Sequence, residues 1–202
     1  MKQFEFELRF QLPPEHDDPE EHLDALFEAG CDDALIGTGV PGSIALDFCR
    51  EADNAMMAVG SAVRAVLAAI PGSTLVFCGP DLLNLTEIAT VVSERLQMNL
   101  TRQAMRKYAM GELAHVTRAF PSPSTPGSAP LWHLAEVMSW LEDNNKLRTS
   151  ECLFSQVTDM AKSARALNLA NATYQAEIDD ETNLMKQAME IVQSAPRAEQ
   201  CH

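Results

Sequence analysis

Gln3-Phe4-Glu5-Phe6-Glu7-Leu8-Arg9-Phe10-Gln11-Leu12 places Phe4, Phe6, Leu8, Phe10 and Leu12 on one side of a period-two alternation, with polar or charged residues on the other. Side chains of a strand point alternately to its two faces, so this is a strand buried on one face only. Downstream, Asp18, Pro19 and Glu21 supply an N-cap, a first-turn proline and a capping-box acid, and Leu23, Leu26 and Phe27 form an apolar stripe that ends at Gly30. A helix is expected over 19–29. The turn chemistry of Gly37-Thr38-Gly39-Val40-Pro41-Gly42 separates the apolar runs 34–36 and 43–48, which reads as a β-hairpin. This glycine-rich loop lacks the following helix with Lys-Ser/Thr that a phosphate cradle needs. Met56, Val59, Val63, Val66, Leu67 and Ile70 then fall at helical spacing, and Pro71-Gly72 stops that helix before a strand at 74–78.

The order is βαββαβ. An antiparallel sheet with two helices on one face, the ferredoxin-like sandwich, accommodates it, and residues 1–79 are expected to form such a domain. That fold carries no function by itself. Beyond Gly79-Pro80 the pattern turns helical, and the expected class is α+β, with a second domain over 81–145 and a helical C-terminal region over 150–195 that is a candidate for dimerisation. In that last region a helix break is expected near Asn168–Asn171, a new cap near Asp179 and a frayed tail over 196–202.

The formal charge is −14, unevenly spread. Residues 1–80 carry 4 basic and 14 acidic side chains, residues 81–148 carry 7 of each, and residues 149–202 carry 4 and 8. The acidic first part is a solvated face or a docking surface for a basic protein partner. Only the middle third offers phosphate a surface that is not repulsive. No run approaches a membrane span and the N-terminal alternation is not an export signal, so a cytoplasmic protein is expected. The five cysteines are odd in number and lack metal-ligand spacing, which points to free thiols, with Cys31, Cys49 and Cys78 beside apolar strands as buried groups. His16, Asp17, Asp18, His22 and Asp24 coincide with a helix start, where acids cap the backbone, so no metal, cofactor or catalysis is assigned.

In Asn84-Leu85-Thr86-Glu87-Ile88-Ala89, Asn84 caps a helix and Glu87 reaches back to it, with Ile88, Val92 and Leu96 facing inward. A second helix follows after Thr101, its N-cap: Ala104, Met105 and Tyr108 form the inner face of Thr101-Arg102-Gln103-Ala104-Met105-Arg106-Lys107-Tyr108. Arg102 and Arg106 are four apart, as are Gln103 and Lys107, so the outer face is one contiguous patch of long donors. Arg and Gln can pair with guanine and adenine edges, while Lys and the cap hydroxyl suit phosphates.

With the later Phe120-Pro121-Ser122-Pro123 and Trp132-His133-Leu134-Ala135-Glu136-Val137-Met138-Ser139-Trp140-Leu141, this order resembles the MerR-like winged helix domains of the AlpA/excisionase type. The resemblance implies a homodimeric regulator that binds double-stranded DNA. It makes 101–110 the recognition helix, 120–131 the wing, and Trp132, Val137, Trp140 and Leu141 the packing of the next helix. It also implies base contacts for Arg102, Gln103 and Arg106, phosphate contacts for Thr101 and Lys107, and a wing-side basic role for Arg118, with His133 read as a surface residue. Relative to that pattern, Thr90–Ser93 is an extra helical turn and Gln97-Met98-Asn99-Leu100 lacks the customary glycine. The competing reading is a protein-interaction module with an acidic, partner-binding or DNA-mimicking N-terminal domain and a degenerate helix-turn-helix.

Overall fold

A computed structural model describes residues 1–113, 116–146, 149–178 and 182–194. Its first part is a four-stranded antiparallel sheet of β1 (Lys2–Gln11), β2 (Ala34–Gly37), β3 (Ser43–Ala52) and β4 (Thr74–Gly79), in the order β2-β3-β1-β4. This is the ferredoxin-like order, and the fold is α+β as expected. Phe4, Phe6, Leu8, Phe10 and Leu12 are all buried, and Phe6 stacks on Phe48 of β3 at 5.2 Å. The hairpin's second strand runs four residues beyond the expected 43–48.

Two helices depart from their sequence reading. The segment expected as one helix begins as a 3-10 turn, Pro19–His22, in which Asp18 accepts from the Glu20 amide, and becomes α1 only over Leu23–Glu28. Glu21 faces His16 at 3.5 Å instead of closing a capping box. Six α-helical residues present little more than one position to the sheet, so Leu26 is buried while Phe27 is 68% exposed. Helix α2 (Ala55–Ala69) buries Ala55, Ala58, Val59, Ala62 and Val66, and leaves Met56 and Leu67 exposed. Its contact stripe is rotated toward the alanines, whose small side chains allow close approach to the sheet.

Arg50 of β3 ties this part together. Its Nε and Nη2 donate to the two Asp33 oxygens at 2.7 and 2.8 Å, Nη2 also donates to the Gly30 carbonyl, and the guanidinium lies 4.7 Å over the Phe48 ring. Asp33 accordingly raises the Arg50 pKa. Cys31 and Cys78 are buried, but Cys49 is exposed, because the alternation of β3 turns it to the uncovered side of the sheet.

The second part holds β5 (Leu82–Leu83), α3 (Leu85–Arg95), α4 (Arg102–Ala109), β6 (Trp132–His133) and α5 (Leu134–Asp143). It has its own apolar cluster, including Ile88, Val92, Leu96, Met105, Leu134, Trp140 and Leu141. The 28-residue helix α6 (Glu151–Ile178) contributes Val157 and Ala161 to this cluster, and Met160 and Ala164 to the cluster under the sheet. The C-terminal region is therefore no independent unit in its first half. It is a strut whose successive turns enter both cores.

No break occurs at Asn168–Asn171. Asn168 donates to the Cys78 carbonyl at 2.9 Å and accepts from the Cys78 amide at 2.8 Å, while Asn171 donates to the Leu75 carbonyl at 2.8 Å. Both residues are spent on backbone groups of β4, an edge strand, so their preference for bonding the backbone serves the sheet rather than interrupting the helix. Helix α7 (Thr182–Ser194) follows, while the expected cap near Asp179, the tail over 196–202 and Cys201 lie outside the described residues. No helix among the described residues is long and apolar enough to cross a membrane.

Candidate nucleic-acid interface

Helix α3 begins with the expected capping box: Asn84 Oδ1 accepts from the Thr86 and Glu87 amides, and Glu87 Oε2 accepts from the Asn84 amide at 2.8 Å. The turn that follows solves its missing glycine in two ways. Gln97 itself adopts the left-handed conformation, with φ of 53°. The Ser93 hydroxyl then donates to the Leu100 carbonyl at 2.9 Å and accepts from the Leu100 amide at 3.0 Å. Ser93 belongs to the extra turn that seemed an insertion, and its hydroxyl is what holds α4 at a set distance from α3.

Thr101 caps α4 through the Ala104 amide at 3.2 Å, and Met105 anchors the helix in the core with Ala104 and Tyr108 half-buried beside it. Tyr108 meets Trp140 at 5.2 Å between centroids, and Phe120 meets Trp140 at 5.0 Å and Trp132 at 6.4 Å. Both indole N–H groups are satisfied, Trp132 donating to the Pro121 carbonyl and Trp140 to the Arg118 carbonyl. This aromatic cluster fixes the loop after α4 against α5.

On the outside of α4, Thr101, Arg102, Gln103, Arg106 and Lys107 are all exposed. Among the described residues none of the side chains of Arg102, Gln103, Arg106 and Lys107 forms an ion pair or hydrogen bond. The first turn of α4 holds no acid and places Arg102 at its first position, where the helix dipole is already positive. An acid there would favour helix stability, so the sequence concentrates positive potential at this end at some cost to the helix.

The loop over 121–131 folds beside α4. Thr125 and Leu131 form an antiparallel bridge, which makes Pro126-Gly127-Ser128-Ala129-Pro130 the tip of a small hairpin. The β5–β6 pairing, Leu82 to His133 and Leu83 to Trp132, brings this loop beside the start of α3. Between them opens a groove of about 800 Å³, lined by Arg102, Arg106, Asn84, Thr86, Ser128 and Trp132 among others. Asn84, Thr86 and Ser128 were not singled out for this position in the sequence, where nothing signals the two-residue ladder that gathers them.

Arg118 does not line this groove. Its guanidinium pairs with Asp143 at 3.1 Å and lines a different cleft, with Glu136, Ser139, Lys162 and Arg165 of α5 and α6. His133 is not a surface residue either. Its Nδ1 lies 2.6 Å from Oδ1 of the buried Asp81, whose other oxygen accepts from Asn168 at 2.9 Å. His133, Asp81 and Asn168 thus join β6, the segment after β4, and α6 in one network.

No family model, curated protein or solved structure matches this chain. The arrangement of donors is accordingly read from its own chemistry. It offers two guanidiniums, an amide and an ammonium on one convex face, bordered by a groove and a hairpin tip.

Proposed function

We propose that the chain is a sequence-specific, double-stranded-DNA-binding regulator of transcription of the bacterial, phage or mobile-element kind, acting in the cytoplasm as a homodimer. The observation that carries this reading is the α4 face: Arg102, Gln103, Arg106 and Lys107 project together without acidic partners among the described residues, in a protein of charge −14. Arg102, Gln103 and Arg106 read base edges in the major groove, and Lys107 and Thr101 hold phosphates. Arg118, paired with Asp143 and lining a different cleft, is given no contact in this reading. The hairpin tip carries no charged side chain, so it meets the duplex by shape.

Three base-reading side chains per protomer specify a short half-site, and two-fold pairing doubles it, with half-sites one helical turn apart. Leu169, Tyr174 and Ile178 on the far half of α6, with Leu184 and Met189 on α7, are exposed apolar residues suited to contact between two copies. The test is selection of bound sequences from a random duplex pool, repeated with Arg102→Ala/Arg106→Ala. The expected outcome is a two-fold symmetric motif for the wild type and none for the double variant. Recovery of the same motif by both proteins would remove the assignment of α4.

A further inference from the structure

A groove elsewhere in the fold lies on the opposite kind of surface, and its chemistry does not depend on the DNA reading. It runs between the uncovered face of the sheet and α3, with a volume of about 620 Å³. Apolar groups form its floor: Phe77 at the end of β4, then Pro80, Leu83 and Val91. Gly79 keeps that floor open, since a Cβ there would stand 3.0 Å from the Phe77 ring. Four carboxylates line it, Glu5 and Glu7 from β1, Asp47 from β3 and Glu87 from α3, against the single guanidinium of Arg95.

The pattern of these acids is not one that sheet stability selects. Glu7 and Asp47 are direct cross-strand partners in the β1–β3 register, and like charges placed opposite one another destabilise a sheet. Glu7 is paired with Arg9, Glu5 with Arg95, and Glu87 with the α3 cap, whereas Asp47 has no ion pair or hydrogen bond among the described residues. Burial, and then Glu7, push the Asp47 carboxyl above its ordinary value, against a smaller opposing pull from Arg9. Arg9, 5.9 Å over the Phe77 ring, shows that this aromatic accepts a guanidinium on its face.

We propose that this groove is the docking site for a basic segment of a protein partner, an extended peptide in which Lys or Arg alternates with apolar side chains. The apolar residues lie on Phe77, Leu83 and Val91, and a cation meets Asp47, the groove acid without an internal partner among the described residues. Charge complementarity selects this occupant over the others. A duplex is repelled by four carboxylates, and a second copy of the same face would set acid against acid. Because the groove's other wall is α3, a peptide seated there joins the sheet to the helix that precedes α4.

The experiment uses the full chain and fluorescein-labelled octapeptides of three kinds, alternating Lys and Leu, alternating Glu and Leu, and Lys alone, followed by fluorescence anisotropy. The Lys/Leu peptide is expected to bind saturably, at least tenfold more tightly than either of the others. Asp47→Asn, which has no internal partner to lose, and Phe77→Ala should each weaken it fivefold or more. Glu20→Gln/Glu21→Gln, which removes two carboxylates outside the groove, should change it less than twofold. Absence of saturable Lys/Leu binding overturns the proposal. So does equal binding of the Lys-only peptide, or a loss in the Glu20/Glu21 variant as large as that in Asp47→Asn.

Discussion

Arg50 and Arg106 sit in the same chain under opposite regimes. The first is held by both oxygens of Asp33, by the Gly30 carbonyl and by the face of Phe48, while the second stands on the outer face of α4 with no such partner among the described residues. The contrast extends to their neighbours, since Arg95 is paired with Glu5, Arg165 with Glu136 and Arg118 with Asp143, whereas Arg102 and Lys107 share the condition of Arg106. A chain with roughly twice as many acids as bases has ample means to neutralise a cation. Lys2, Arg64 and Lys162 also lack such partners among the described residues, so what sets α4 apart is that Arg102, Arg106 and Lys107 stand together on one short helix without an acid.

Substitution can break that distinction. Arg50→Ala should destabilise the protein by about 1.5–3 kcal/mol, the range for hydrogen bonds to charged groups, with the half-exposed Asp33 holding the loss toward the lower end. Urea unfolding measures this. Arg106→Ala and Lys107→Ala should each stay within about 0.5 kcal/mol of wild type, as surface changes do. A loss at Arg106 equal to that at Arg50 would erase the comparison.

Asn168→Ala strands the Cys78 carbonyl and amide and one oxygen of the buried Asp81, and should cost about 1–3 kcal/mol in the same assay. A neutral outcome would mean that α6 does not hold the sheet edge. At high pH a smaller effect follows from Cys78, whose thiol burial pushes up to about 12 from an ordinary 9.0. A raised pKa means the folded state holds the proton more tightly, so this stabilisation is complete below the ordinary value and is lost as pH climbs toward 12. Between pH 8 and 10 wild type should lose roughly 1 kcal/mol more than Cys78→Ala. Parallel pH profiles of the two proteins would contradict this origin.

How much could be read in advance depended on how far apart in the chain the deciding groups lie. The caps at Asn84 and Thr101, the alternation of β1 and the anchoring by Met105 are local patterns, and the structure repeats them within a residue or so. Asn168 was misread as a helix breaker because its partner at Cys78 is ninety positions away and belongs to an edge strand. The pairs of Arg118 with Asp143 and of His133 with Asp81 escaped the sequence for the same reason, since these acids approach only through tertiary packing. Large apolar residues drew the expected stripe of α2 away from Ala55, Ala58 and Ala62, because periodicity weighs size while the sheet rewards close approach. The α4 patch was readable as a pattern of residue types. That it lacks acidic partners among the described residues was not.

The most direct measurement is a titration of isotope-labelled protein with the duplex selected from the random pool, followed by backbone amide shifts. The largest changes should fall on residues 101–107 and on the hairpin tip at 126–129, with Arg118 and the outer strand positions Glu7 and Asp47 unmoved. Shifts confined to the acidic sheet face, or none at 101–107, would contradict the assignment of α4 to the duplex.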